Sequence, residues 1–374
     1  MTGMFWITGD DLDADQAKAV EGIPEAQSFL LYGPAGSGKT NILLLRAKWL
    51  TYRKKTNFKI IAFTASLKRF IAQGCTHYGF DPASAVTQMT FFKEILDEFG
   101  VHYELTRSFE PDRTMLAGKV LSLIESKGID GTYCETLLVD EAQDYTDTEL
   151  LVFRRLAKTL VLAMDSRQSI YRTTHTPDLP EKLVGGQVIT LQYHYRSGLK
   201  LCKVADAILS DAAAFPKIQG ECKYPESTRP SQVVSATYPS LDAQLSAIAA
   251  NVAMQIDLYP EEKIGILFPK KDQSTAFEDY LSANPIAGAN EVVYIDTLHG
   301  SKGWEFRAVH IAGLEALYKM GATQKRLIYT GLLRGKTSAH IYFSGHLPGY
   351  LDSALGKLEP PRPMPTLSDL FKST

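Results

Sequence analysis

Two stretches of this chain hold residue types and spacings that can do chemistry. Residues 33–40 read Gly-Pro-Ala-Gly-Ser-Gly-Lys-Thr, the G-x-x-x-x-G-K-T spacing of a phosphate-binding loop. A bend of this kind turns several amide N–H groups inward, where they can hold phosphate oxygens. Gly33, Gly36 and Gly38 tolerate the positive φ angles and the close approach that it needs. A helix starting near Lys39 adds its positive end. Lys39 can reach the outer phosphates, and the Thr40 hydroxyl can ligate magnesium. Pro34, Ala35 and Ser37 complete the candidate cradle, with Asn41 next in line. The second stretch, residues 137–144, reads Leu-Leu-Val-Asp-Glu-Ala-Gln-Asp. An apolar strand there delivers Asp140 to a magnesium shell, and Glu141 can polarise a water for in-line attack on a γ-phosphate. A nucleotide bearing a γ-phosphate, with Mg2+, is the ligand these residues call for.

Elements must position these groups. The apolar run 29–32 reads as a buried strand entering the loop, and residues 42–50 as a largely buried helix. Residues 10–21 read as another helix, acidic at its start. Strands are expected at 59–63, 86–90, 136–139 and 160–164, alternating with helices. That alternation predicts a mostly parallel sheet, with ligands at the carboxyl ends of its strands. Gly33, Asp140 and Asp165 all fall at such ends. Gly185-Gly186 reads as a hinge, after which strands recur at 188–191, 233–237, 264–268, 292–295, 309–312 and 341–343. The expected class is α/β with two parallel-sheet domains. They span residues 1–185, with a small insertion at about 93–132, and 186–346. A proline-rich tail over 347–374 follows, ending in a short helix at 367–371.

Bulk properties narrow the classes. The chain has 374 residues, 45% hydrophobic and 22% charged, with a net charge of −2. Such a balance gives no global attraction to nucleic acid, so any basic surface must be local. Arg53-Lys54-Lys55, Lys68-Arg69, Lys270-Lys271, Lys325-Arg326 and Arg334/Lys336 are the local clusters. The 4 cysteines stand far apart in sequence without a C-x-x-C, and read as reduced thiols rather than a disulfide frame or zinc site. No run has the length of a membrane helix. The first residues lack the basic region and apolar core of a signal peptide, so the expected location is cytoplasmic.

Taken in order, the motifs resemble superfamily-1 helicases of the UvrD/Rep/PcrA kind. Residues 12–16 resemble the family's adenine-reading element, with Gln16 on the base edge. Residues 33–40 are its phosphate loop, and 139–144 match its D-E-A-Q-D. Phe63-Thr64 and Thr90-Phe91 fall where the family contacts single strands. Residues 165–171 resemble D-x-x-Q-S-I-Y, in which Gln168 would sense the γ-phosphate and Tyr171 would lie near the strand. Tyr195-Arg196-Ser197 resembles N-Y-R-S, where the tyrosine stacks on adenine and the arginine reaches the γ-phosphate. Residues 297–306 resemble T-x-H-x-x-K-G-L-E-F. There Thr297, His299 and Lys302 would contact DNA, and Gly303 and Glu305 would lie near the ribose. In residues 329–336 Arg334 would be a second finger on the γ-phosphate. The resemblance implies two RecA-like lobes with ATP in the cleft between them. Arginines from a lobe without its own phosphate loop suit that cleft, because such a finger is worth about 10³–10⁵ in rate.

The chain also departs from the pattern. His194 replaces the usual asparagine, Phe92 a histidine and Asn41 an arginine. Thr173 stands where a base-stacking aromatic is usual. The stretches between Phe92 and Asp140 and between Arg196 and Thr297 are short, which implies a motor with reduced accessory subdomains. Single-stranded DNA is the implied partner, with RNA left open, and the family's polarity is 3′ to 5′. An ATP-gated module that binds DNA or regulates a protein partner such as a nuclease, without unwinding, is the alternative.

Overall fold

The computed structural model describes residues 6–131, 133–165, 176–210, 217–319 and 323–358. The first lobe is built on β1 (Phe29–Tyr32), β2 (Phe58–Ala62), β3 (Ala85–Thr87), β4 (Cys134–Val139), β5 (Ala157–Met164) and β6 (Val188–Thr190). They pair in parallel in the order β3-β2-β4-β5-β1-β6. The second lobe holds β7 (Gln232–Thr237), β8 (Ile264–Phe268), β9 (Val293–Thr297), β10 (Phe306–Ile311) and β11 (Gly335–Phe343). Its parallel order is β7-β11-β10-β8-β9. The central strands are apolar without alternation because helices cover both faces of each sheet. Leu30 and Leu162 therefore pack on one face of the first sheet, and Phe29, Leu31 and Val161 on the other. The fold is α/β with two parallel sheets, as the alternation predicts.

Two boundaries differ from expectation. The strand expected to open the second domain, β6, pairs with β1 at the edge of the first sheet, and Leu191 N donates to Tyr32 O at 2.7 Å. The first lobe thus runs to Leu191. Gly185 and Gly186 (φ 70 and 78) are the stop of helix Leu179–Leu183, where Gly186 N bonds to Glu181 O at 3.0 Å. Two left-handed glycines closing a helix look like a hinge in sequence but serve as a cap. The second difference lies after residue 346. Helix Gly349–Gly356 buries Leu351 and Ala354 in the same core as helix Leu199–Ile208, so the second lobe continues through it. The helix expected at 367–371 lies outside the described residues. Among the described residues no helix is long and apolar enough to cross a membrane.

The insertion is part of the first core. Helix Phe109–Lys127 buries Leu116, Ala117, Val120 and Ile124 beside residues of β4 and β5. Its Arg113 is fully buried. Arg113 Nε donates to Glu149 Oε1 and Nη2 to Asp144 O, both at 2.9 Å, while the guanidinium lies 5.0 Å from the Phe63 ring centroid. Glu149 also accepts from Thr146 N at 2.8 Å, capping helix Asp147–Leu156. Arg113 thereby ties the insertion to the acidic loop that follows β4. Arg113→Ala leaves Glu149 buried without its counter-charge, and the expected loss is about 3–5 kcal/mol of unfolding free energy. Urea unfolding checks this; an unchanged midpoint would contradict the bridging role.

Candidate active site

The phosphate loop leaves the end of β1 and runs into helix Lys39–Tyr52, whose N-cap is Gly38 at φ 84. Gly36 is also left-handed, at φ 78. Lys39 is buried, and its Nζ donates to Gly33 O at 2.8 Å and Pro34 O at 2.9 Å. Burial pulls its pKa down, against the raising effect of Asp165, Glu141 and Asp140. The ammonium is therefore held on the loop's own carbonyls, within the bend where phosphate oxygens would offer full charge. Gln16 is buried beside the loop. Its Nε2 donates to Ser37 O at 3.0 Å and its Oε1 accepts from Asp13 N at 3.0 Å.

β4 carries Asp140 to the helix start, where Thr40 Oγ1 donates to Asp140 Oδ2 at 2.7 Å. A hydroxyl and a carboxylate at that separation form a hard-oxygen donor pair suited to Mg2+, which keeps waters and substrate phosphates in its other positions. Burial, and then the neighbouring Glu141, push Asp140 up to about 6. Glu141 has φ 54, a left-handed conformation that costs a residue with a Cβ about 1–3 kcal/mol. Gln143, two residues beyond Glu141, donates through Nε2 to Glu141 and accepts from Asp165 N at 3.0 Å. Burial alone would raise Glu141. Lys302, Arg334 and Lys39 outweigh it and hold the carboxyl down at about 2. The carboxyl is therefore held ionised at the cavity wall.

The second lobe closes over this face. Tyr195 N donates to Gly36 O at 3.1 Å, and the Tyr195 hydroxyl donates to Asp13 Oδ2 at 2.7 Å. A Cβ on Gly36 would stand 2.6 Å from Arg196 Cβ, so the loop must be glycine there for the lobes to meet. Gly303, at φ 87, makes a similar approach to Leu67 of the first lobe. Arg196 pairs with Glu305, and Lys336 Nζ lies 3.7 Å from the other Glu305 oxygen. Arg334 is buried, and its Nη1 donates to Trp304 O at 3.5 Å. Burial and then Arg196 bring its pKa down to about 10, against Glu141, Glu305 and Asp165. It remains a cation at neutral pH. Between the lobes lies a cavity of about 600 Å³. Gly36, Gly38, Lys39, Thr40, Asp140 and Glu141 line one side, and Tyr195, Arg196, Gly303, Glu305 and Arg334 the other.

Trp6 and Phe70, stacked at 4.9 Å, also line the cavity, and nothing in their sequence surroundings marks them. Asn41 lines it too and accepts from the Tyr78 hydroxyl at 3.0 Å. Lys336, read as part of a basic surface cluster with Arg334, lies with it inside the cleft against Glu305.

The residues expected to touch a strand fare differently. Phe63 and Phe91 are core, not stacking platforms. Phe63 meets Phe109 and Tyr145 edge-on, with Arg113 over its ring, and Phe91 is 1% exposed among apolar neighbours. Their faces are filled because the insertion helix needs apolar contacts beneath it. Lys302 is buried as well. It pairs with Asp144 and lies 3.9 Å from Glu141 Oε2, so it joins the lobes rather than facing a strand. Thr64 caps helix Ala65–Tyr78 through Leu67 N at 3.1 Å. Thr90 is exposed beside Thr87, and Thr297 Oγ1 accepts Gly300 N at 3.0 Å. His299 is half-buried, its pKa lowered by burial and then by Lys302. Gln168, Tyr171 and Thr173 lie outside the described residues.

No curated protein matches the chain. Residues 16–174 match a family model described as an AAA domain, a stretch that contains the phosphate loop, Asp140 and Glu141. With that match and this geometry, the first lobe is a P-loop domain similar to AAA domains.

Proposed function

We propose that the protein hydrolyses ATP between its lobes and uses the cycle to move along single-stranded DNA, 3′ to 5′ by family resemblance. One observation carries this reading: Arg196 and Arg334 of the second lobe line the same cavity as Lys39, Asp140 and Glu141 of the first. A binding protein needs no such pair of cations opposite a phosphate loop, whereas phosphoryl transfer gains most of its rate from positioning and charge.

Gln16 and Tyr195 flank the base, and Lys39 shifts from the carbonyls of Gly33 and Pro34 to the outer phosphates. Thr40 and Asp140 would hold Mg2+, which when bound neutralises charge on the phosphate oxygens. Glu141, steadied by Gln143, orients the attacking water. Arg196 leaves Glu305 for the γ-phosphate, and Arg334 approaches beside it. Loss of phosphate removes their target, and the lobes part.

The second reading, a nucleotide-gated module acting on a protein partner, draws on the burial of Phe63 and Phe91, which removes two stacking platforms. ATPase rates titrated with single-stranded DNA, duplex and RNA separate the two. Saturable, severalfold stimulation by single-stranded DNA is expected. A rate indifferent to every nucleic acid would transfer the proposal to the partner-regulating module.

A further inference from the structure

His194, Cys202 and Cys222 are separated in the chain, yet the second lobe brings them together. His194 and Cys222 form a parallel bridge, with His194 N bonded to Glu221 O at 3.2 Å and Lys223 N to His194 O at 2.9 Å. Cys202 rises from the first turn of helix Leu199–Ile208. Their ligand atoms all lie within 4.8 Å of one another. Cys202 Sγ is 3.7 Å from His194 Nε2, and each thiol is 3.4 Å from the carbonyl oxygen of Ser197. Cys202 and Cys222, far apart in sequence, are folded onto one spot by the bridge and the helix start.

We infer that these three side chains form a binding site for one borderline-soft divalent cation of the zinc class, separate from the Mg2+ site. Zn–S bonds of about 2.3 Å and Zn–N bonds of about 2.0–2.1 Å give a tetrahedron whose sulfur-to-nitrogen edge is about 3.5 Å, close to the separation found. Thiolate and imidazole donors select such a cation over hard ions that prefer oxygen. His194 and Cys202 are fully buried, while Cys222 is partly exposed and offers an entry path. Three protein ligands leave a fourth position for water. Binding displaces two thiol protons. His194 Nε2–H, which donates to Ile218 O at 2.8 Å, gives way as that proton moves to Nδ1. Affinity therefore falls as pH is lowered. The site immediately precedes Tyr195 and Arg196, so a bound ion would brace the segment that lies against Gly36.

The test uses the full chain, reduced, loaded with Zn2+, desalted and measured by elemental mass spectrometry, with Co2+ as the spectroscopic probe. One equivalent of zinc is expected, with thiolate-to-cobalt charge-transfer absorption and a raised melting temperature on loading. Cys222→Ser, at the partly exposed position, should lose all three while staying folded, and Cys202→Ser should lose the metal too. Cys75→Ser should keep it. Zinc retention no greater than in Cys222→Ser, or cobalt uptake without the charge-transfer band, would overturn the site. So would a Cys202–Cys222 disulfide that takes up no metal after reduction.

Discussion

Arg334→Ala is expected to lower the rate of ATP hydrolysis by about 10³–10⁵ while leaving nucleotide affinity nearly intact. The side chain comes from the lobe without a phosphate loop, is 3% exposed, and has Glu141 and Glu305 among its nearest charges. Its charge is thus held beside the acids, where the proposed cycle would bring a γ-phosphate. Negative charge that builds on the transferring group then meets a cation already stripped of water. That interaction strengthens in the transition state, so its loss should appear in kcat rather than KM. Arg334→Lys should restore little, because a point charge does not reproduce the planar guanidinium. Single-turnover hydrolysis with saturating ATP, alongside a direct binding titration, measures both terms. A variant that hydrolyses at the wild-type rate would remove the two-lobe mechanism. One that loses affinity and rate equally would make Arg334 a ground-state contact.

Glu141→Gln should show the complementary separation, with turnover lower by about 10²–10⁴ and ATP still bound. The substitution keeps the side chain's length and its oxygen acceptor for Gln143, and removes the charge that Lys302, Arg334 and Lys39 hold ionised. The backbone at φ 54 stays as it is, so the amide still points into the cavity. Lys39→Ala differs, since it takes away a phosphate contact and should weaken binding as well as turnover. ATPase rates with a fluorescent-nucleotide titration check the pair. Hydrolysis by Glu141→Gln at the wild-type rate would reassign the water-orienting group, with Asp140 and Asp144 the nearest carboxylates to test.

The sequence alone determined the parts whose chemistry is local. A phosphate loop needs glycines, a lysine and a hydroxyl residue at set spacing, and strands buried on both faces need continuous apolar runs. Gly33–Thr40, Asp140-Glu141 and the two parallel sheets were legible for those reasons. Only the tertiary structure decided what depends on neighbours remote in the chain. The assignment of β6 to the first sheet followed from its pairing with β1, since an apolar strand looks alike in either lobe. Phe63 and Phe91 were claimed by the core once the insertion helix lay over them. Lys302 was drawn between Asp144 and Glu141 by closure of the lobes, and His194, Cys202 and Cys222 by a bridge and a helix start. Spacing along a chain records what one turn or strand presents. It holds no record of which distant surface will exclude water from it.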